Sequence, residues 1–207
     1  MRIVVAALAS LALAHGAYAA ENVLLEDTNK ALAAGNPAAV LMHLEKLIGR
    51  GNIVAAQRLG LMYRDGKGVP QDYGKARKLL KIASEPDLIR IWYKRGVPDA
   101  QYALAVMFRD GIGGKADASR AEFWFNEAAE QGRPQAQLAL ARMYFKGAGI
   151  KRDPERAFFW SSIAAASLTE PAQKEAVAIR DEAQKQLAPT QLAGAGKLIS
   201  SWKPRTE

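Results

Sequence analysis

The chain has 207 residues, 49% hydrophobic and 24% charged, with a formal net charge of +8 and no cysteine. Such a chain can bury a sizeable core, and the lack of cysteine excludes disulfides and thiolate metal sites. The first residues, MRIVVAALASLALAHGAYAA, carry Arg2, an apolar run from Ile3 to Ala14, and the small-residue site Ala17-Tyr18-Ala19. This predicts a secretory signal peptide (1–19) cleaved after Ala19, because the run is shorter than the roughly 20 apolar residues of a membrane span. A periplasmic or secreted protein is expected. His15 belongs to that leader, so His43 is the one histidine of the mature chain. Zinc sites and Cys–His or Ser–His catalysis therefore drop out.

Residues 20–51 read as two short amphipathic helices broken at Gly35-Asn36-Pro37, with Asn36 as cap and Pro37 as first helical residue. The next 115 residues, 52–166, write one pattern three times. Aligning Ala55, Ala100 and Ala136 aligns Leu59, Leu104 and Leu140, then Gly60, Ala105 and Ala141, then Tyr63, Phe108 and Tyr144. Two glycines follow in each copy (Gly66 and Gly68, Gly111 and Gly113, Gly147 and Gly149), then Asp72, Asp117 and Asp153. Ala76, Ala121 and Ala157, with Leu79, Trp124 and Trp160, complete the set. Ala, Leu and the aromatic at i, i+4 and i+8 share one face of a first helix, A. The glycines end it, and each aspartate caps a second helix, B. Units of this kind bury their apolar faces only by stacking on neighbours.

This pattern resembles the Sel-one-like repeat, a relative of the tetratricopeptide repeat, with units at 52–96, 97–132 and 133–166. The resemblance implies an all-α, right-handed α/α superhelical solenoid. It also implies a scaffold or adaptor without enzymatic activity, cofactor or metal. Residues 20–51 then form a degenerate N-terminal repeat or cap. The first unit carries nine extra residues around SEPDLIRIWYK, where a short added helix is expected. After 166, the stretch EPAQKEAVAIRDEAQKQL and a helix from Pro189 to Trp202 suit C-terminal capping helices (167–207), with a loose tail from Pro204.

Charge is uneven: 11 basic and 4 acidic residues lie between Arg50 and Arg95. Within that patch Arg90, Trp92, Tyr93, Lys94 and Arg95 are a candidate contact for a partner protein or an anionic polymer or membrane surface. Nucleic acid is not expected. If helices A line the concave side, the variable positions left to the groove are Gln57, Leu61 and Arg64, then Tyr102, Val106 and Arg109, then Leu138, Arg142 and Phe145. The three arginines suit an acidic or carboxylate-ended segment of another envelope protein, unless they pair with Asp65 and Asp110. Ser200 and Lys203 match S-x-x-K, but without its companion motifs. The expected function is thus a periplasmic adaptor or regulator. The alternatives are a structural part of a secretion or flagellar machine and an enzyme acting on β-lactams or peptidoglycan.

Overall fold

The computed structural model describes residues 26–85 and 95–205. The signal peptide, the expected inserted helix and residues Arg90, Trp92, Tyr93 and Lys94 lie outside them. All regular structure among the described residues is helical: α1 (26–33), α2 (Pro37–Gly49), α3 (Ile53–Asp65), α4 (Tyr73–Ser84), α5 (Pro98–Asp110), α6 (Ala118–Glu130), α7 (Pro134–Lys146), α8 (Pro154–Ser167), α9 (Ala172–Gln184) and α10 (Pro189–Ser201). Among these, no helix is long and apolar enough to cross a membrane. α3 pairs with α4, α5 with α6 and α7 with α8, and each pair stacks on the next to give an α-helical solenoid.

The turns explain the pairing. Helix A of the second unit stops at Gly111, whose φ of 69° is left-handed and whose N–H reaches the Met107 carbonyl. Six residues on, Asp117 accepts a bond at 2.9 Å from the N–H of Arg120 and so caps α6. Its own N–H donates to the carbonyl of Phe108 at 2.8 Å. Asp72 does the same with Lys75 and Tyr63, and Asp153 with Arg156 and Tyr144. The motif aspartate therefore closes the turn from both sides: its side chain starts helix B, and its backbone ties that start to the aromatic ending helix A.

The motif's small and apolar residues are consumed inside. Leu104, Ala105, Leu140 and Ala141 are at most 1% exposed, as are Ala121 and Ala157. Contact is close enough that a Cβ on Gly60 would stand 2.9 Å from Leu80 Cγ.

A second repeating device was not marked by the sequence reading. Gln101, Gln137 and Gln173 occupy one register, on the first turns of α5, α7 and α9. Each donates its side-chain amide to a carbonyl at the end of the preceding helix B: Ser84 at 3.0 Å, Ala129 at 3.2 Å and Ala165 at 3.1 Å. These carbonyls are among those a helix C-terminus leaves unpaired. Gln173 carries the same register onto α9, which packs on α8 and α7.

α10 packs across α8, which brings Trp202 edge-on to Trp160 with ring centroids 6.4 Å apart. The expectation of a loose tail is corrected as far as Arg205. Its N–H donates to the Glu130 carbonyl at 2.7 Å, and its guanidinium pairs with the Glu130 carboxylate at 3.0 Å. Pro204 lies so close to Gly132 that a Cβ there would meet it at 3.1 Å.

Candidate functional site

Among the described residues, open surface lies both on the A helices and on the B helices. On the A face, Gln57 and Leu61 are half-buried and line a cleft of about 330 Å³ with Val54, Arg58 and Met62. Tyr102 and Val106 are half-buried one unit on. The guanidinium of Arg133 stands 5.6 Å from the centre of the Tyr102 ring and pairs with Asp99. Phe145 is half-buried, with Arg152 5.8 Å above its ring. Leu138 departs from the expectation that it faces an open groove, because it is only 3% exposed. It lies one turn before Arg142, on the side of α7 that α9 crosses.

The arginines are already engaged. Arg64 holds both oxygens of Asp65, at 2.6 and 3.1 Å, and Arg109 holds those of Asp110, at 2.7 and 2.8 Å. Arg142 forms the same two-pronged pair with Glu175 of α9. Hydrogen bonds from the arginines hold the Asp65, Asp110 and Glu175 carboxyls below their usual range, against a smaller opposing effect of burial. An incoming carboxylate would have to displace one that is already bound.

The Arg142–Glu175 pair yields a pH prediction. A carboxyl whose folded pKa is depressed adds stability above its unfolded pKa, and this is lost as pH falls through the folded value. Both side chains are more than a third exposed, so Glu175→Gln is expected to cost only about 0.5 kcal/mol at neutral pH. That difference should vanish in acid, once the wild-type carboxyl is protonated. Urea denaturation of both proteins across an acid series measures it, and a gap that persists in acid refutes the pair as its cause.

The B face carries the larger concavity, a cleft of about 850 Å³ between α6, α8 and α10. Phe123, Phe159, Trp160 and Leu198 supply its apolar surface. Phe123 is 55% and Leu198 60% exposed, unusual for side chains of this size. Tyr144 lies at its edge, donating to Glu122 at 2.6 Å and accepting from Arg156 at 3.0 Å. Burial first, then the bond to Glu122, push the Tyr144 phenol up to about 12. It therefore stays protonated at physiological pH and serves as a structural donor. Sequence reasoning missed this cleft, although one signal was present: Phe123 and Phe159 each precede the motif tryptophan, 36 residues apart.

The remaining candidates are scattered. Arg95 is half-buried, and its carbonyl accepts from Gln101 at 2.6 Å. His43 is half-buried in α2, with no hydrogen-bond partner at Nδ1. Ser200 donates to the Lys197 carbonyl at 2.9 Å. Among the described residues no three His, Cys, Asp or Glu side chains are grouped to hold a metal ion.

Comparison with known proteins gives this architecture its family. The Sel1 repeat model matches residues 53–85, 98–132 and 134–167. The crystal structure of a Sel1 repeat protein from Oxalobacter formigenes is 33% identical, with a TM-score of 0.56 over 66% of this chain and 96% of that one. The chain belongs to the Sel1 repeat family. A second Sel1-type structure is c5321, a protective antigen present in uropathogenic Escherichia coli strains. It is 25% identical with a TM-score of 0.45, over 80% of this chain and 41% of that one. No curated protein matches the chain. Sel1 repeat proteins are generally non-catalytic scaffolds for protein interaction, and the 86–97 gap between matched segments spans the first unit's extra residues.

Proposed function

We propose that this Sel1 repeat protein is an exported, non-catalytic adaptor that holds another protein of the cell envelope on its solenoid surface. The observation that carries the reading is the division of labour within each unit. Motif residues are spent on packing, while variable side chains such as Leu61, Tyr102, Phe123 and Phe159 remain at the surface of both faces. A surface fixed by stacked helices loses little conformational freedom on binding, so more of the contact energy appears as affinity. The leader-like first 19 residues support export, and the periplasm is the proposed compartment.

The test combines fractionation with capture. The protein recovered from the periplasmic fraction is expected to begin at Ala20. Crosslinking in the native envelope is expected to retain one envelope protein in fixed proportion. Retention of Met1, or a wild-type protein that holds no envelope protein, overturns the proposal.

A further inference from the structure

The charge of the B-face cleft is opposite to that of the chain. Its lining carries Glu122, Glu130, Asp153 and Glu155 against Arg156, within a protein of net charge +8. Arg205, reaching in from the tail, offsets Glu130. Glu122 and Asp153 share Arg156. Glu155 is met by the neutral amide of Gln191, at 3.3 Å. The rim therefore retains negative charge beside an apolar floor that water covers poorly.

The same face changes character one unit earlier. Lys78 stands on α4 where Phe123 and Phe159 stand on α6 and α8, and Lys75 and Lys81 flank it. All three lysines are exposed. A ligand drawn to the α6–α10 cleft by positive charge is repelled from α4, which sets one end of its footprint.

Resting on the adaptor reading above, we propose that this cleft is a docking site for a basic amphipathic helix of a partner protein. Apolar residues at i, i+3 or i+4 and i+7 of that helix pack between Phe123, Phe159 and Leu198, in the manner of a helix seated in a groove. Lysines or arginines on its flanks meet Glu155, whose partner within the protein is the neutral Gln191 amide. A carboxylate-ended segment is disfavoured by the same rim, and an anionic lipid surface would be drawn to α4.

The probe is a fluorescent helical peptide of leucine and lysine, about 14 residues or roughly 21 Å long, with a glutamate-for-lysine counterpart. Binding to the mature protein is followed by anisotropy. The basic peptide is expected to bind at least tenfold more tightly than the acidic one, and added salt should weaken it. Phe123→Ser combined with Leu198→Ser, and separately Glu155→Lys, should each weaken binding at least tenfold. Phe123 and Leu198 are exposed, so the serine pair should leave circular dichroism and melting unchanged, while Met42→Ser, at an exposed position of α2, should leave affinity unaltered. Equal binding of both peptides, or binding indifferent to the cleft variants, overturns the site. So does self-association of the protein abolished by the same substitutions, which would give the cleft to a second copy. If cleft variants still retain the envelope protein, the cleft fails as its site while the adaptor reading stands. If the wild type retains none, the adaptor reading fails whatever the peptides do.

Discussion

Gly113→Ala is expected to cost about 2–4 kcal/mol of stability, against about 1 kcal/mol for Gly35→Ala. Both glycines have positive φ, +75° and +62°, where an alanine is disfavoured. They differ in their surroundings. A methyl on Gly35 would meet nothing within 4 Å, whereas one on Gly113 would stand 2.9 Å from Tyr73 Cβ and 3.0 Å from the Tyr73 carbonyl oxygen. Tyr73 is the first residue of α4, so the methyl would be a wedge between the first and second units. Equivalent approaches recur: Gly68 faces Pro37, and a Cβ on Gly149 would come within 2.4 Å of Ala118 Cβ. The first glycine of each pair shapes a turn, and the second lets one unit sit on the helix start of the unit before it. Because stability in stacked arrays is a sum over neighbours, the wedge should broaden the urea transition as well as shift it. A Gly113→Ala loss no greater than that of Gly35→Ala would refute the close approach.

The repeat was legible because its residues act locally. A glycine at a left-handed C-cap, an aspartate immediately before a helix and an Ala-Leu-aromatic stripe can each be read without knowing what lies across the interface. Asn36 illustrates this, accepting the Ala39 N–H at 3.1 Å as the first turn of α2 requires. The groove was harder to read, because its occupancy depends on tertiary partners. Arg142 looked open until α9 brought Glu175 to it, and Leu138, one turn earlier on α7, is buried. Arg64 and Arg109 find their partners in the very next residue. That spacing does not pair side chains within a helix, but here Asp65 and Asp110 are terminal helical residues, with a glycine following each. The tail from Pro204 read as loose because its contacts, Arg205 with Glu130 and Pro204 with Gly132, join residues far apart in the chain.

The two faces also differ in what binding must overcome. On the A face, each guanidinium offered to a ligand carboxylate already has one, so exchange gains little beyond the original pair. On the B face, Phe123 and Leu198 remain largely in water, and covering about 100 Å² of such surface is worth about 2.5 kcal/mol. An incoming carboxylate therefore gains less from the arginine register of the A face than an apolar side chain gains by covering Phe123 and Leu198.

Gln101→Ala is expected to be the most damaging change of a polar side chain, at about 2–4 kcal/mol, through lost bonds and a cavity. Its amide, 1% exposed, donates to the Ser84 carbonyl at 3.0 Å and the Arg95 carbonyl at 2.6 Å, while its own oxygen accepts from Gln131 at 2.8 Å. Ser84 ends α4 and Arg95 precedes α5, so one side chain joins the chain on both sides of the first unit's extra residues. Removing it strips the Ser84 carbonyl of this buried bond and leaves the Arg95 carbonyl with the longer one from Gln131, at 3.4 Å, and a lost buried partner costs more than the bond itself contributes. Gln101→Leu keeps most of the volume and should recover only the cavity part of the loss. Gln137 bonds a single carbonyl, at 3.2 Å, and its Oε1 lacks a partner, so Gln137→Leu should cost less than Gln101→Leu. Hydrogen exchange provides a second readout. The Val97 N–H, bonded to the Ala83 carbonyl at 2.8 Å, should lose protection in Gln101→Leu before the amides inside α5 do. Equal losses for the two leucine variants, with Val97 still protected, would show that the register position matters only for packing and that the end of α4 and the start of α5 are joined by other contacts.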